Sequence, residues 1–454
     1  MENQILSHAS EQLIPGLSYT LGPTAQFVRA RHCTTFFPSG GNQYSVTGVR
    51  VLRFELQSGG DMFLDPATLS LAFTLKNNNA TAGNLLTPLS NSPLCFFQRM
   101  RVLMKGTLVE DINYLHRIEH LFDILLPPQR RRTQAMQMFG EKNNSFNVRT
   151  RIDNETIAGG SARKVMTPLL SGLLSAAQPH WIPLKLAPIT VELEVNPLVN
   201  QYLSTAANTS TNWSLEDAQI KVDLCDVDAF LADKVYGLIR SSGLQFSFAS
   251  YNTIMNVLPA VSHTNGQVST QFARSYHRIK TIFITFGTGE YATAGTLLNE
   301  TNGFYWPARN PVGGTDAQIA AYPNYNYDRD KVEFQLHVGS ETYPQYPVRS
   351  LAEFAYHLEK ALDLTASVEG VSISPHEYRT DKFVIGLDVE KAGTGPGGGA
   401  EFTGLDTSVG GGSNIRIEMK NIDTENGQQV DRIYLTLVHN VIAVLEERGV
   451  TVLD

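Results

Sequence analysis

Two stretches of this chain, about two hundred residues apart, share one layout. Each opens on alternating β-strands, passes through a short amphipathic helix and closes on a long alternating strand. The first runs from Gln43 to Ala229 and the second from Leu244 to Leu453. A repeat of this size must be satisfied twice by any fold. Two similar all-β units with no catalytic signature point to a building block.

Alternation defines the strands. Leu52, Phe54 and Leu56 alternate with Val51, Arg53 and Glu55, which predicts a strand with one largely polar face. Leu69, Leu71, Phe73 and Leu75 predict the next, ended by Asn77-Asn78-Asn79. Cys95–Met104 reads as a third strand, with Lys105-Gly106 as the turn into Thr107–Ile112. Ile189, Val191, Leu193 and Val195 give the cleanest strand of the first half, and Ala218–Val227 closes the unit. Asp228 to about Gly243 reads as a bridge containing a short helix. In the second unit, Leu244–Phe248, Ile279–Phe286, Val332–Val338, Phe383–Val389, Ile415–Met419 and Ile433–Val444 are predicted strands.

Helical spacing occurs once in each unit. Leu115, Ile118, Leu121, Phe122 and Leu125 predict a helix from Tyr114 to Leu125, stopped by Pro127-Pro128. Ser350-Leu351-Ala352-Glu353 is a capping box opening a helix with Leu351, Phe354, Ala355, Leu358 and Leu362 on one face. Parallel α/β folds need a helix between nearly every pair of strands. One helix per unit is too few. The expected class is all-β with minor helices: an arm over 1–42, one β-sandwich over 43–235 and a second over 236–454.

Composition narrows the functions. With 454 residues, 42% hydrophobic, the chain can bury two or three cores. The net charge of −8 argues against broad electrostatic binding of nucleic acid. Three widely spaced cysteines, Cys33, Cys95 and Cys225, form no CxxC pair and read as free thiols of a reducing compartment. The N-terminus lacks the basic and apolar regions of a signal peptide, and no apolar run reaches the roughly 18–20 residues of a membrane span. The sequons Asn79-Ala80-Thr81 and Asn299-Glu300-Thr301 are therefore read as chance matches.

Several motifs carry chemistry on paper. His116-Arg117-Ile118-Glu119-His120 matches H-x-x-E-H, with both imidazoles on one helix face as zinc would want and Glu119 as the base. No third ligand follows on a helix, so the structural reading is preferred over a zinc peptidase. Gly393-Thr394-Gly395-Pro396-Gly397-Gly398 satisfies G-x-G-x-x-G, but Pro396 and the following glycines offer no helix to hold a phosphate. Arg130-Arg131-Arg132 is too short a run to imply nucleic-acid binding. Trp181 and Trp213 read as packing, although a carbohydrate-binding or attachment sandwich would use them as a sugar platform. No catalytic, cofactor-binding or metal residue is assigned, and no cofactor is expected.

The order of several segments resembles the double jelly-roll major capsid proteins of eukaryotic double-stranded DNA viruses, of the polinton-like virus, adintovirus and virophage type. Cys95–Val102, Gly106, Glu110-Asp111-Ile112 and the following helix are similar to one family region. Trp181-Ile182-Pro183-Leu184 into Leu186–Leu193 is similar to a strand pair, and His337–Ser340 through Tyr343-Pro344 and Pro347 to Ala352-Glu353 to a third. Arg274-Ser275 and Gly449–Val452 also fit. The resemblance implies two eight-stranded jelly rolls side by side, homotrimers with a pseudo-hexagonal outline, and an icosahedral shell without catalysis. It implies penton and minor capsid proteins as partners, no specific nucleic acid, and a virion location after synthesis in the host cytoplasm or nucleus. It implies an inward-facing arm at 1–42, places the 130–164 and 393–412 segments among surface loops, and leaves an inner membrane open.

Overall fold

A computed structural model describes residues 28–88, 90–127, 130, 156–175, 177–203, 208–261, 266–287, 304, 306–307, 332–339, 341–365, 370–371, 373–380, 382–390, 404–407, 414–422 and 430–453. The first 27 residues of the arm, Arg131, Arg132, Asn299–Thr301 and Gly393–Gly398 lie outside these, as does most of the 130–164 and 393–412 segments.

Among the described residues the first unit holds eleven strands: β1 (Val28–Phe36), β2 (Gln43–Tyr44), β3 (Val51–Leu56), β4 (Met62–Leu64), β5 (Ser70–Asn77), β6 (Phe97–Met104), β7 (Thr107–Asn113), β8 (Ala162–Thr167), β9 (Ile182–Pro183), β10 (Ile189–Val195) and β11 (Trp213–Val227). They make an antiparallel sheet of seven strands and another of four, ordered β3-β10-β6-β7. The larger sheet is still only four columns wide. β1 and β2 run in line along one side of β11, facing Val227 to Ile220 and then Glu216 to Leu215. β4 and β5 run in line along its other side. The turn of 3-10 helix at Pro66–Thr68, capped by the Asp65 carboxylate accepting from Ala67 N–H, is what divides them. β8 and β9 form the last column. Counted in chain order, the columns of this long sheet run first, eighth, third, sixth, and those of the short sheet second, seventh, fourth, fifth.

The second unit repeats that order. Its strands are β12 (Leu244–Val257), β13 (Gln267–Ala273), β14 (Ile279–Gly287), β15 (Glu333–Val338), β16 (Glu341–Val348), β17 (Val384–Asp388), β18 (Asn414–Lys420), β19 (Arg432–Leu445) and β20 (Val450–Leu453). The long sheet is β12-β19-β14-β17 and the short sheet β13-β18-β15-β16. β20 pairs with β19 at Leu445–Ile442, beyond the end of β14 and in line with it. Each unit is thus an eight-column sandwich with one strand order. In both, a helix follows the fifth strand: α1 (Leu115–Leu125) after β7, and α3 (Leu351–Ala361) after β16. Helix α2 (Ala229–Ser241) links the units and straddles the boundary expected at 235/236. A short α4 (Pro375–Thr380) precedes β17.

Predicted strands hold where one face is buried. β3 and β10 show strict alternation, with Leu52, Phe54, Leu56, Val191 and Leu193 excluded from solvent. The Lys105-Gly106 turn takes φ of 52° and 82°, the left-handed pair that a two-residue hairpin joining Met104 to Thr107 requires. Ser350 caps α3 by accepting from Glu353 N–H at 3.2 Å. The return bond of Glu353 goes to Arg349 N–H at 2.7 Å, one residue earlier than the capping box predicts.

Three expectations are corrected. Val28–Phe36, expected within the arm, is the first strand of unit one; neither of its faces is buried, so it carries no apolar alternation. Cys95 and Phe96 belong to a 3-10 turn, Pro93–Phe96, and the strand starts at Phe97; Ser92 caps that turn and Pro93 seeds it. Lys164, the end of the predicted excursion, lies within β8.

Candidate functional site

The H-x-x-E-H residues sit on α1, and α1 lies between the two sandwiches. His116 is buried, and desolvation, with Arg117 beside it, lowers its ring to about 3, so the imidazole is neutral. Burial raises the Glu119 carboxyl to about 7, while a bond from Ser92 pulls it down and Asp123 pushes it up. His120 packs its ring against Phe304 of the second unit at 5.1 Å. Among the described residues, no three His, Cys, Asp or Glu gather as a metal cage. These side chains serve packing at a seam.

Other motif residues are also placed. Trp213 stands in the first core, edge-on to Phe96 at 4.8 Å and to Tyr202 at 5.9 Å. Trp306 is buried and Trp181 half-buried, so none of the three tryptophans offers an open platform. Arg130 is exposed beyond α1. All three cysteines are free thiols; only Cys33 is exposed. Among the described residues no helix is long and apolar enough to cross a membrane.

The seam is where the structure concentrates its buried polar chemistry. Leu121, Ile124 and Leu125 of α1 belong to the core of the second unit, whereas Leu115 and Ile118 belong to that of the first. The helix is therefore a bolt with one end in each core. Arg117 lies 3.8 Å over the Tyr434 ring and 4.9 Å from the Phe304 ring, and donates to Thr285 Oγ1 at 3.5 Å. Such cation–π contacts gain strength when desolvated. Phe122 meets Tyr251 and Phe283 edge-on at 5.2 and 6.1 Å.

A second fastening uses β7. Glu110 accepts from Ser171 Oγ and from the Gly172 and Leu173 amides, the amides at 2.9 and 3.4 Å. Ser250 of β12 also bonds it, from the other unit. Burial raises this carboxyl to about 7 against the downward pull of those four donors. The turn it holds is pressed against β12: a Cβ on Gly172 would stand 1.9 Å from Ala249 O. Lys105, at the hairpin, donates to Glu446 O at 3.3 Å.

At one end the seam opens into a polar cleft of 430 Å³ lined by Gln98, Arg99, Asn113, Tyr114, Glu194 and Thr253, among others. Arg99 is already engaged by Asp111 through two bonds of 2.7 and 2.6 Å. Its lining holds no nucleophile paired with a base, and the cleft has the character of a wet join between units.

Glu110 and Arg117 stood in quoted motifs with no role at a join between units assigned to them, and Gly172 was not singled out by sequence. Their roles depend on contacts between distant parts of the chain, such as Arg117 with Thr285, 168 residues away, which local pattern does not encode.

No protein-family model matches the sequence, and no curated protein matches it. Solved structures do match. The crystal structure of PBCV-1 VP54, fitted into a cryo-EM reconstruction of the virophage Sputnik, superposes with a TM-score of 0.62 at 10% identity, covering 96% of this chain and 99% of that one. The fold is a double jelly roll. The Faustovirus major capsid protein gives 0.58 at 10% identity, over 97% and 93%. The Sputnik virophage structure determined by cryo-EM gives 0.55 at 11% identity, over 97% and 92%. The double jelly roll therefore extends through both sandwiches and the seam between them.

Proposed function

We propose that this chain is the major capsid protein of an icosahedral double-stranded DNA virus. Three copies form a capsomer with a pseudo-hexagonal outline, because two like wedges per chain, taken three times, fill a hexagon. Capsomers tile the shell. In this reading no residue catalyses a reaction and no cofactor is held; the work is interface burial, with obligate interfaces commonly above about 2,000 Å². The partners are other copies of the chain, with penton and minor capsid proteins at the vertices and joints. The chain resides in the virion after synthesis in a reducing host compartment. We divide it into an N-terminal segment, a first jelly roll that begins with β1, and a second that follows α2.

One observation carries the reading: the full-length match, at near-complete coverage of both chains, to structures named as the PBCV-1 virus capsid and the Faustovirus major capsid protein. The seam supports it. A chain that fastens its two sandwiches with a shared helix and a buried carboxylate keeps them at one fixed angle, as a tile must. The sugar-binding alternative, through Trp181, Trp213 or the many tyrosines, gains no support from the tryptophans, since Trp213 is buried and Trp181 half-buried.

The test is mass in solution. The reading expects a stable species at three times 50.1 kDa. A strictly monomeric chain at micromolar concentration would count against it.

A further inference from the structure

Helix α2, the link between the units, has one finished face and one open face. Ala232, Tyr236 and Ile239 are buried against the first unit. The Tyr236 ring stacks on Phe63 at 6.4 Å between centroids, and its hydroxyl donates to Asp61 Oδ1 at 2.9 Å. Lys185 donates to the same oxygen at 2.8 Å, so this side of the helix is pinned. The opposite side carries Phe230, Lys234, Gly237, Leu238 and Ser241, which share a stripe at three- and four-residue spacing. Phe230 is 62% exposed and Leu238 46% exposed, and the Lys234 ammonium lies 4.3 Å from the centre of the Phe230 ring. Gly237 stands in the middle of the stripe. A glycine inside a helix costs about 1 kcal/mol relative to alanine. A Cβ at this one would meet nothing within 4 Å, so no described residue uses the space it leaves. A second backbone lying close over the helix would use it.

The first strand sets what lies nearest. β1 begins at Val28 opposite Val227, one residue before Asp228, and the Asp228 carboxylate caps α2 by accepting from Phe230 N–H at 3.0 Å. Arg29 bonds the same carboxylate at 2.6 Å. Residues 1–27, which lie outside the described residues, therefore join the fold at the first turn of α2, the turn that carries Phe230. Their sequence holds a matching face. Leu17, Tyr19 and Leu21 alternate with Ser18 and Thr20, the period of an extended segment with one apolar side. At about 3.3 Å per residue, Leu17 to Leu21 spans about 13 Å. At about 1.5 Å per residue, Phe230 to Leu238 spans about 12 Å. Gly22-Pro23 follows and suits a turn between the segment and β1. Residues 1–27 contain Glu2 and Glu11 and no Lys or Arg, opposite in sign to Lys234 on the stripe.

We propose that Leu17–Leu21 lies extended along the open stripe of α2 in the same chain, with Leu17, Tyr19 and Leu21 set on Leu238, the Lys234 stem and Phe230. The tether selects this occupant. Only the six residues Gly22–Phe27 separate the segment from β1, and so short a connection gives an effective concentration of about millimolar, which a segment of another chain does not match. Tyr19 fits the middle position, since its ring packs on an aliphatic stem while its hydroxyl stays in water. The contact holds the helix that links the two units from both sides. It lies within one chain and does not depend on the capsid reading.

Two measurements on the full chain decide it. In the first, chymotrypsin cleavage after Tyr19 is timed in the unaltered chain and in the Phe230→Asp/Leu238→Asp variant. Cleavage follows the fraction of segment that has lifted off, so the variant is expected to be cut at least about tenfold faster. Its thermal unfolding is expected to be unchanged, because both replaced side chains face solvent. Leu17→Ser/Leu21→Ser, altered in the segment instead of the helix, is expected to be cut equally fast. In the second, Tyr19→Cys/Lys234→Cys is oxidised in a Cys33→Ser background, since Cys33 is the exposed native thiol. The expected product is a disulfide within one chain of 50.1 kDa. Equal cleavage rates in the unaltered chain and both variants, or the absence of the disulfide, would overturn the proposal. A disulfide joining two chains would overturn it as well, because the stripe would then hold the segment of another copy.

Discussion

Glu110→Gln isolates the buried carboxylate at the seam. The folded chain holds this acid at about 7, against an ordinary value of 4.5, chiefly because burial disfavours its charge. The sign follows from proton linkage. In the pH interval from about 4.5 to about 7 the folded chain keeps the proton and the unfolded chain releases it, so stability falls as pH rises through that window. A tenfold difference in proton affinity between the folded and unfolded chain is worth about 1.4 kcal/mol, so the whole interval is worth about 3 kcal/mol. With an unfolding entropy of about 2.1 cal/mol/K per residue, a chain of this length has close to ~1 kcal/mol/K, and the melting temperature shifts by about 3 °C. Glutamine keeps one carbonyl acceptor for the Gly172 amide and removes the titration. Thermal unfolding of both proteins at pH 5, 6 and 8 is the assay. The unaltered chain is expected to lose about 3 °C relative to Glu110→Gln between pH 5 and pH 8. Glu119, also raised to about 7, is common to both proteins and cancels in the difference. A difference that does not vary with pH would refute the reasoning.

Other substitutions test neighbouring links. Gly172→Ala drives a methyl group to 1.9 Å from Ala249 O, so it should cost at least about 1–3 kcal/mol in chemical denaturation and loosen the two units, seen as faster hydrogen exchange along β12. Trp213→Ala removes the ring between Phe96 and Tyr202 and should cost about 3–5 kcal/mol by the same measurement, where a sugar-platform role would leave stability unchanged. Ser350→Ala removes the α3 cap and should cost about 1 kcal/mol, with early exchange confined to the first turn of that helix.

How much was legible in the sequence depended on which faces are buried. β3, β10 and β15 have one buried and one wet face, so alternation announces them. β1 (VRARHCTTF) buries neither face and reads as an arm. β16 was not among the predicted strands: it carries Pro344 and Pro347, which are tolerated because β16 is the edge of its sheet. β13 hides its alternation by using Thr270 between Val268 and Phe272. The α4 start was signalled by Ser374 and Glu377, which bond each other's amides as a capping box, but a proline between them and a six-residue span masked it. The H-x-x-E-H pattern was legible and read as structural, but the seam it packs into was not. Its helix is buried on both sides by two units, and that burial is invisible until the units are placed together. The seam residues Glu110, Gly172 and Arg117 share this limit: each is ordinary within its own strand, turn or helix.

The most direct measurement of the central claim is electron cryo-microscopy of the purified chain. The account predicts a three-fold particle with a six-lobed, hexagonal outline, each lobe one upright sandwich and alternate lobes alike. Isolated two-lobed particles of 50.1 kDa at every concentration tried would contradict it.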